Sequence, residues 1–69
     1  MDILAERMRL LRNEKGLRQD EMAKLLGISL SAYRRYELKE RDPAAPFIVS
    51  FADYFNVSTD YLLGRKDER

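Results

Sequence analysis

The sequence predicts an all-α fold, a compact domain of five short helices, on three observations. Apolar residues recur at helical spacing along the chain, signals for strands are nearly absent, and residues that start or stop helices stand between the periodic segments. With 69 residues the chain holds one domain, and it buries only about 60% of the surface its unfolded form exposes.

Leu4, Met8 and Leu11 fall at i, i+4 and i+7, behind Asp2 as an N-cap and ahead of Gly16 as a stop, which predicts helix 1 over roughly residues 3–14. Leu17 plugs a short connection. In QDEMAKLL two acids occupy a first turn, where the helix dipole favours them, and Met22, Ala23 and Leu26 form the buried face before Gly27. Only Ile28 and Ser29 then precede the next helix, about 29–38, so helices 2 and 3 must cross steeply, and the small Ala23 allows their close approach. Ser29 can cap helix 3. Tyr33, Tyr36 and Glu37 share its inner side, leaving Leu30, Ser31, Arg34, Arg35 and Leu38 outside. Pro43 disfavours helix at Asp42, and Pro46 suits the first turn of helix 4, about 45–55, with Ile48, Phe51, Ala52 and Phe55 inward. Ser58 caps a last short helix, TDYLL, ended by Gly64. The domain thus spans residues 1–64, and residues 65–69 form a charged tail, expected to fray.

Composition narrows the function. No cysteine or histidine is present, which removes disulfides, thiolate zinc sites, cysteine nucleophiles and the commonest general base and metal ligand. With no glycine-rich phosphate loop either, the expectation is a protein that is not an enzyme and needs no cofactor or metal, with no small-molecule ligand evident. No segment approaches a membrane span and the charged N-terminus is no signal peptide, so a cytoplasmic address and no membrane partner are expected. Net charge is only +1, but it is unevenly spread. Arg18, Lys24, Arg34, Arg35, Lys39 and Arg41 fall within residues 17–41, whereas residues 42–63 contain Asp42, Asp53 and Asp60 and no Lys or Arg.

A helix, a tight glycine turn and a second helix form a helix-turn-helix pattern, in which helix 3 would lie in the DNA major groove. LRNEKGLRQDEMAKLLGIS, Glu37, Pro43 and FADYFNVSTDYLLG together resemble the Cro and phage-repressor type of helix-turn-helix domain, the XRE family. The resemblance covers residues 4–64 and implies a repressor-like fold that binds double-stranded DNA. It further implies that Gln19 contacts a phosphate and braces the recognition helix, and that Ser29, Leu30, Ser31, Arg34 and Arg35 approach the bases. An arginine there could pair with guanine or neutralise a phosphate, and Leu30 could offer only apolar contact, most naturally to a thymine methyl. Lys39 and Arg41 would face phosphates beside the groove, with Arg18 and Lys24 as weaker candidates. Arg12 and Glu37 match family positions that form a shielded ion pair between helices 1 and 3. At Leu38 and Lys39 the sequence departs from a polar residue followed by glycine. A left-handed lysine is costly, so helix 3 is expected to run on toward Glu40.

Proteins of this type usually bind two half-sites as a homodimer. Phe47 and Tyr54, extended by Tyr61, are the expected dimer surface. The leading reading is a sequence-specific transcriptional regulator, a repressor by analogy, acting on a palindromic operator. Competing readings are a protein-interaction module such as an antitoxin, and the DNA-binding domain of a longer repressor.

Overall fold

The computed structural model describes residues 2–69. Five helices follow in order: α1 (Asp2–Glu14), α2 (Gln19–Leu26), α3 (Leu30–Glu37), α4 (Ala45–Phe55) and α5 (Thr59–Leu62). Among the described residues there is no strand. Helix α1 packs on α3 and α5, α2 on α3 and α4, and α4 on α5, so that all five surround one core. That core is built from Leu4, Met8 and Leu11 of α1, Met22 and Ala23 of α2, Tyr33 of α3, Ile48, Phe51 and Ala52 of α4, and Tyr61 and Leu62 of α5. Leu26 and Phe55, expected inside, only lean against it. Asp2 lies within the first turn of α1 rather than before it, still at the end where a carboxylate suits the dipole.

Every helix ends in the same way. A residue in the left-handed conformation follows the last turn, and its amide and the one after it bond back to carbonyls of that turn in the crossed pattern of a Schellman cap. At α2, Gly27 has φ 72°, its N–H donates to Lys24 O at 3.2 Å, and Ile28 N–H donates to Ala23 O at 3.0 Å. Gly16, Asn56 and Gly64 take the corresponding positions after α1, α4 and α5. After α3 the residue is Lys39, at φ 66°, with Lys39 N–H donating to Tyr36 O at 3.3 Å and Glu40 N–H to Arg35 O at 3.0 Å. Helix 3 therefore does not continue toward Glu40. The chain must turn back within a few residues to bury Pro43, and the capping bonds at this turn outweigh the strain on the lysine backbone.

The charged tail is not frayed. The guanidinium of Arg7 on α1 donates to the carbonyls of Tyr61 and Lys66, the latter at 2.6 Å, and to Asp67 Oδ1 at 3.0 Å. Arg69 pairs with Glu14, and its carbonyl accepts from Ser58 N–H at 2.8 Å. Two arginines, one at each end of the chain, thus strap residues 65–69 across α1 and α5.

Candidate nucleic-acid interface

The α2–α3 unit rests on a turn of three residues, Gly27, Ile28 and Ser29. Gly27 reverses the chain with its positive φ. Ile28 packs toward the core, and Ser29 opens α3 with extended backbone while its hydroxyl accepts Ala32 N–H at 3.1 Å. The serine is consequently committed first to capping, with its hydroxyl proton and one lone pair left to offer a ligand.

Helix α3 then divides by face. Tyr33 is wholly buried and Glu37 is 3% exposed, while Ser31, Arg34, Arg35 and Leu38 face solvent. Leu30 is half-buried, so it belongs partly to the scaffold and only partly to the outer face. Eight helical residues rise about 12 Å, which limits the helix to a few base pairs.

What holds α3 is a buried carboxylate. Glu37 Oε2 accepts from Arg12 Nε at 2.8 Å and from the Tyr33 hydroxyl. Its Oε1 accepts from Arg12 Nη2 at 3.1 Å and from Gln19 Nε2 at 3.0 Å. Arg12 also donates from Nη1 to Leu17 O at 2.8 Å, and Arg9 donates to Glu37 O at 3.3 Å. The Arg12–Glu37 pair thereby ties α1, the α1–α2 connection, the start of α2 and the end of α3 together. Burial alone would raise the Glu37 pKa, but the hydrogen bonds from Arg12, Tyr33 and Gln19 outweigh it and hold the carboxyl below the ordinary glutamate range. The same contact and Arg12's own burial act oppositely on the guanidinium, and the bond to Glu37 prevails, raising its pKa. The Tyr33 hydroxyl is pushed above its usual range, first by burial and then by its bond to Glu37. The ionised carboxylate, the cation and the neutral phenol are therefore the species present at neutral pH. Gln19, with one amide hydrogen on Glu37, keeps its second hydrogen and its carbonyl available.

The cations sort into two groups. Arg7, Arg12, Arg18, Arg65 and Arg69 pair with carboxylates, and Arg9 bonds to backbone. Among the described residues the arginines left without such a partner are Arg34, Arg35 and Arg41, all exposed and all on α3 or the loop that follows it. Lys39 lies between them and is also exposed and unpaired among the described residues. Arg18 is engaged by Asp20 at 3.0 Å, whereas Lys24 is exposed beside an open groove lined by α2 and by Tyr54. That groove includes none of the outward residues of α3. Among the described residues no group of three or more carboxylates is placed to hold a metal, and no helix is long and apolar enough to cross a membrane.

Of the three aromatics expected at a dimer surface, Tyr61 is not available to it. Tyr61 is a core residue, 5% exposed, with the Arg7 guanidinium 4.2 Å above its ring. Phe47 is half-buried, its ring 4.9 Å from that of Tyr36. Tyr54, 40% exposed, stands edge-on to Phe55 and carries Lys15 Nζ 5.2 Å from its ring centre. Arg7, Arg9 and the Tyr33 hydroxyl were not singled out by sequence. The i, i+4 spacing of Tyr33 and Glu37 could have indicated the last, but partners of Arg7 lie 54 to 60 residues away and leave no local signal.

Two helices joined by a tight turn, the second clamped from within and basic outside, define a helix-turn-helix protein of the Cro and phage-repressor class. Sequence comparison agrees: the profile of the family described as "Helix-turn-helix" matches residues 8–62, and the chain belongs to that family. It is 37% identical over 68 residues to the HTH-type transcriptional regulator YqaE of Bacillus subtilis, covering 97% of this chain and 59% of that one. It is 40% identical to ImmR, an HTH-type transcriptional regulator of the same organism, over 94% of this chain and 50% of the relative. It is 43% identical to the cryptic phage CTXphi transcriptional repressor RstR of Vibrio cholerae over 68% of this chain and 42% of the relative. The chain thus spans about half the length of these curated relatives. No solved structure gives a significant match.

Proposed function

We propose that this chain is a sequence-specific double-stranded DNA-binding transcriptional regulator, acting as a repressor, with α3 in the major groove. The observation that carries this reading is the gathering of the unpaired arginines: Arg34, Arg35 and Arg41 stand together on one helix and its loop while every other described arginine is neutralised or bonded. In solution such a patch gains nothing from its crowding. Against a duplex each cation replaces condensed counterions at a phosphate or pairs with a guanine edge. Ser31 and the half-buried Leu30 supply the remaining base-facing chemistry, and Gln19 offers a phosphate its free amide hydrogen. RstR, a repressor by name, supports the sign of regulation.

The domain acts as a homodimer on DNA. Its longest Cα extent is 28 Å, less than the roughly 34–36 Å between half-sites one turn apart, so two half-sites need two copies. Tyr54 and Phe47 remain the candidate contacts, without Tyr61. Selection of bound duplexes from a random pool tests both points. A palindromic winner is expected, with binding that weakens steeply as salt rises. No enrichment over random duplex would refute specific readout and favour a protein-interaction module.

A further inference from the structure

Four of the five helices end on Gly16, Gly27, Asn56 and Gly64, residue types that adopt the left-handed conformation at little cost. Only α3 ends on a residue for which that conformation is strained, Lys39 at φ 66°. Packing offers no reason for a side chain here. Lys39 is exposed, and among the described residues its ammonium meets no carboxylate, carbonyl or ring. A cation does suit the negative end of the helix dipole, but Arg34 and Arg35 already occupy that last turn, and salt screens the effect. The location does offer something. Lys39 follows Arg34 and Arg35, precedes Arg41, and has its backbone fixed by the two capping bonds described above.

We propose that Lys39 anchors a DNA phosphate beside the C-terminal end of α3, and that folding stability is traded for DNA affinity at this single residue. The inference rests on the DNA-binding reading of α3 and assigns a role to a side chain where the family's glycine would provide none. Because a phosphate contact reads no base, its loss weakens binding to all sequences alike.

The test compares the wild-type chain with Lys39→Gly, Lys39→Ala and Lys39→Arg, by thermal melting and by titration against both a selected and a random duplex over a range of salt. Lys39→Gly should melt about 4–8 °C higher and bind both duplexes roughly 3- to 10-fold more weakly, with a salt slope smaller by about one. Lys39→Ala keeps the strained backbone without the charge, so it should lose the same affinity with no gain in melting temperature. Lys39→Arg should retain affinity. Unchanged affinity and salt slope in Lys39→Gly, on a wild type that does bind, overturns this proposal alone. So does a loss confined to Lys39→Gly and absent from Lys39→Ala, or a Lys39→Gly variant that melts no higher. If the wild type binds neither duplex, the reading of α3 as a DNA-binding helix fails and takes this proposal with it.

Discussion

Replacing Glu37 by alanine should remove much of the stability of this domain. The carboxylate is 3% exposed and the Arg12 side chain 12%, and the change strips four hydrogen bonds while leaving the guanidinium almost wholly out of water. An abandoned buried charge of this kind costs on the order of 3–5 kcal/mol. At roughly 0.05–0.15 kcal/mol per residue, a chain of this length has only about 3–10 kcal/mol in all. Each kcal/mol moves the melting temperature of so small a domain by about 4–8 °C, so a fall of at least about 12 °C is expected by circular dichroism. The double variant Arg12→Met with Glu37→Leu removes both charges and should recover most of the loss, giving a large coupling in a double-mutant cycle. A Glu37→Ala protein that melts within about 2 °C of wild type would show that the carboxylate is not the buried hub described here, as would single and double variants whose effects simply add.

Three further outcomes follow from other parts of the structure. The folded Glu37 holds its pKa below the unfolded value, so its contribution is fully present above that unfolded value and is lost as pH falls through the folded one; acid melts should show this loss, and Glu37→Gln should flatten it. Tyr33→Phe removes one bond to the charged carboxylate within a buried site and should cost about 1.5–3 kcal/mol in a urea titration with the slope unchanged. Ser29→Ala leaves the Ala32 amide without its cap acceptor and should cost about 1 kcal/mol, which differential scanning would register as a lower melting temperature.

Much of this was legible in the sequence because the signals were local. Gly27, Ser29, Pro46 and Ser58 act through their own backbone or the next turn, and the helices they bound lie within a residue or two of expectation. The Arg12–Glu37 pair was reached through family resemblance, not through spacing, since 25 residues separate the partners. Lys39 misled because propensity alone forbids what the turn toward a buried Pro43 demands. Tyr61 misled for a related reason: an aromatic in a four-residue helix looks like exposed surface, but Arg7, far away in sequence, closes over it. Leu30 lies between the two cases, on the outer half of the helical wheel yet drawn half inward by the crossing of α2 and α3.

The strap at the chain ends also orders events during synthesis. Arg7 emerges well ahead of its carbonyl and carboxylate partners, which are 54, 59 and 60 residues further on. At roughly 5–20 residues per second, that is a wait of about 3–12 s. Arg12 meets Glu37 after 25 residues, so the clamp on α3 can close while the strap cannot. A nascent chain can therefore set the helix that would read DNA before the strap closes, and a stalled or truncated product lacking residues 65–69 would retain the first and keep, of the second, only the contacts of Arg7 with Tyr61.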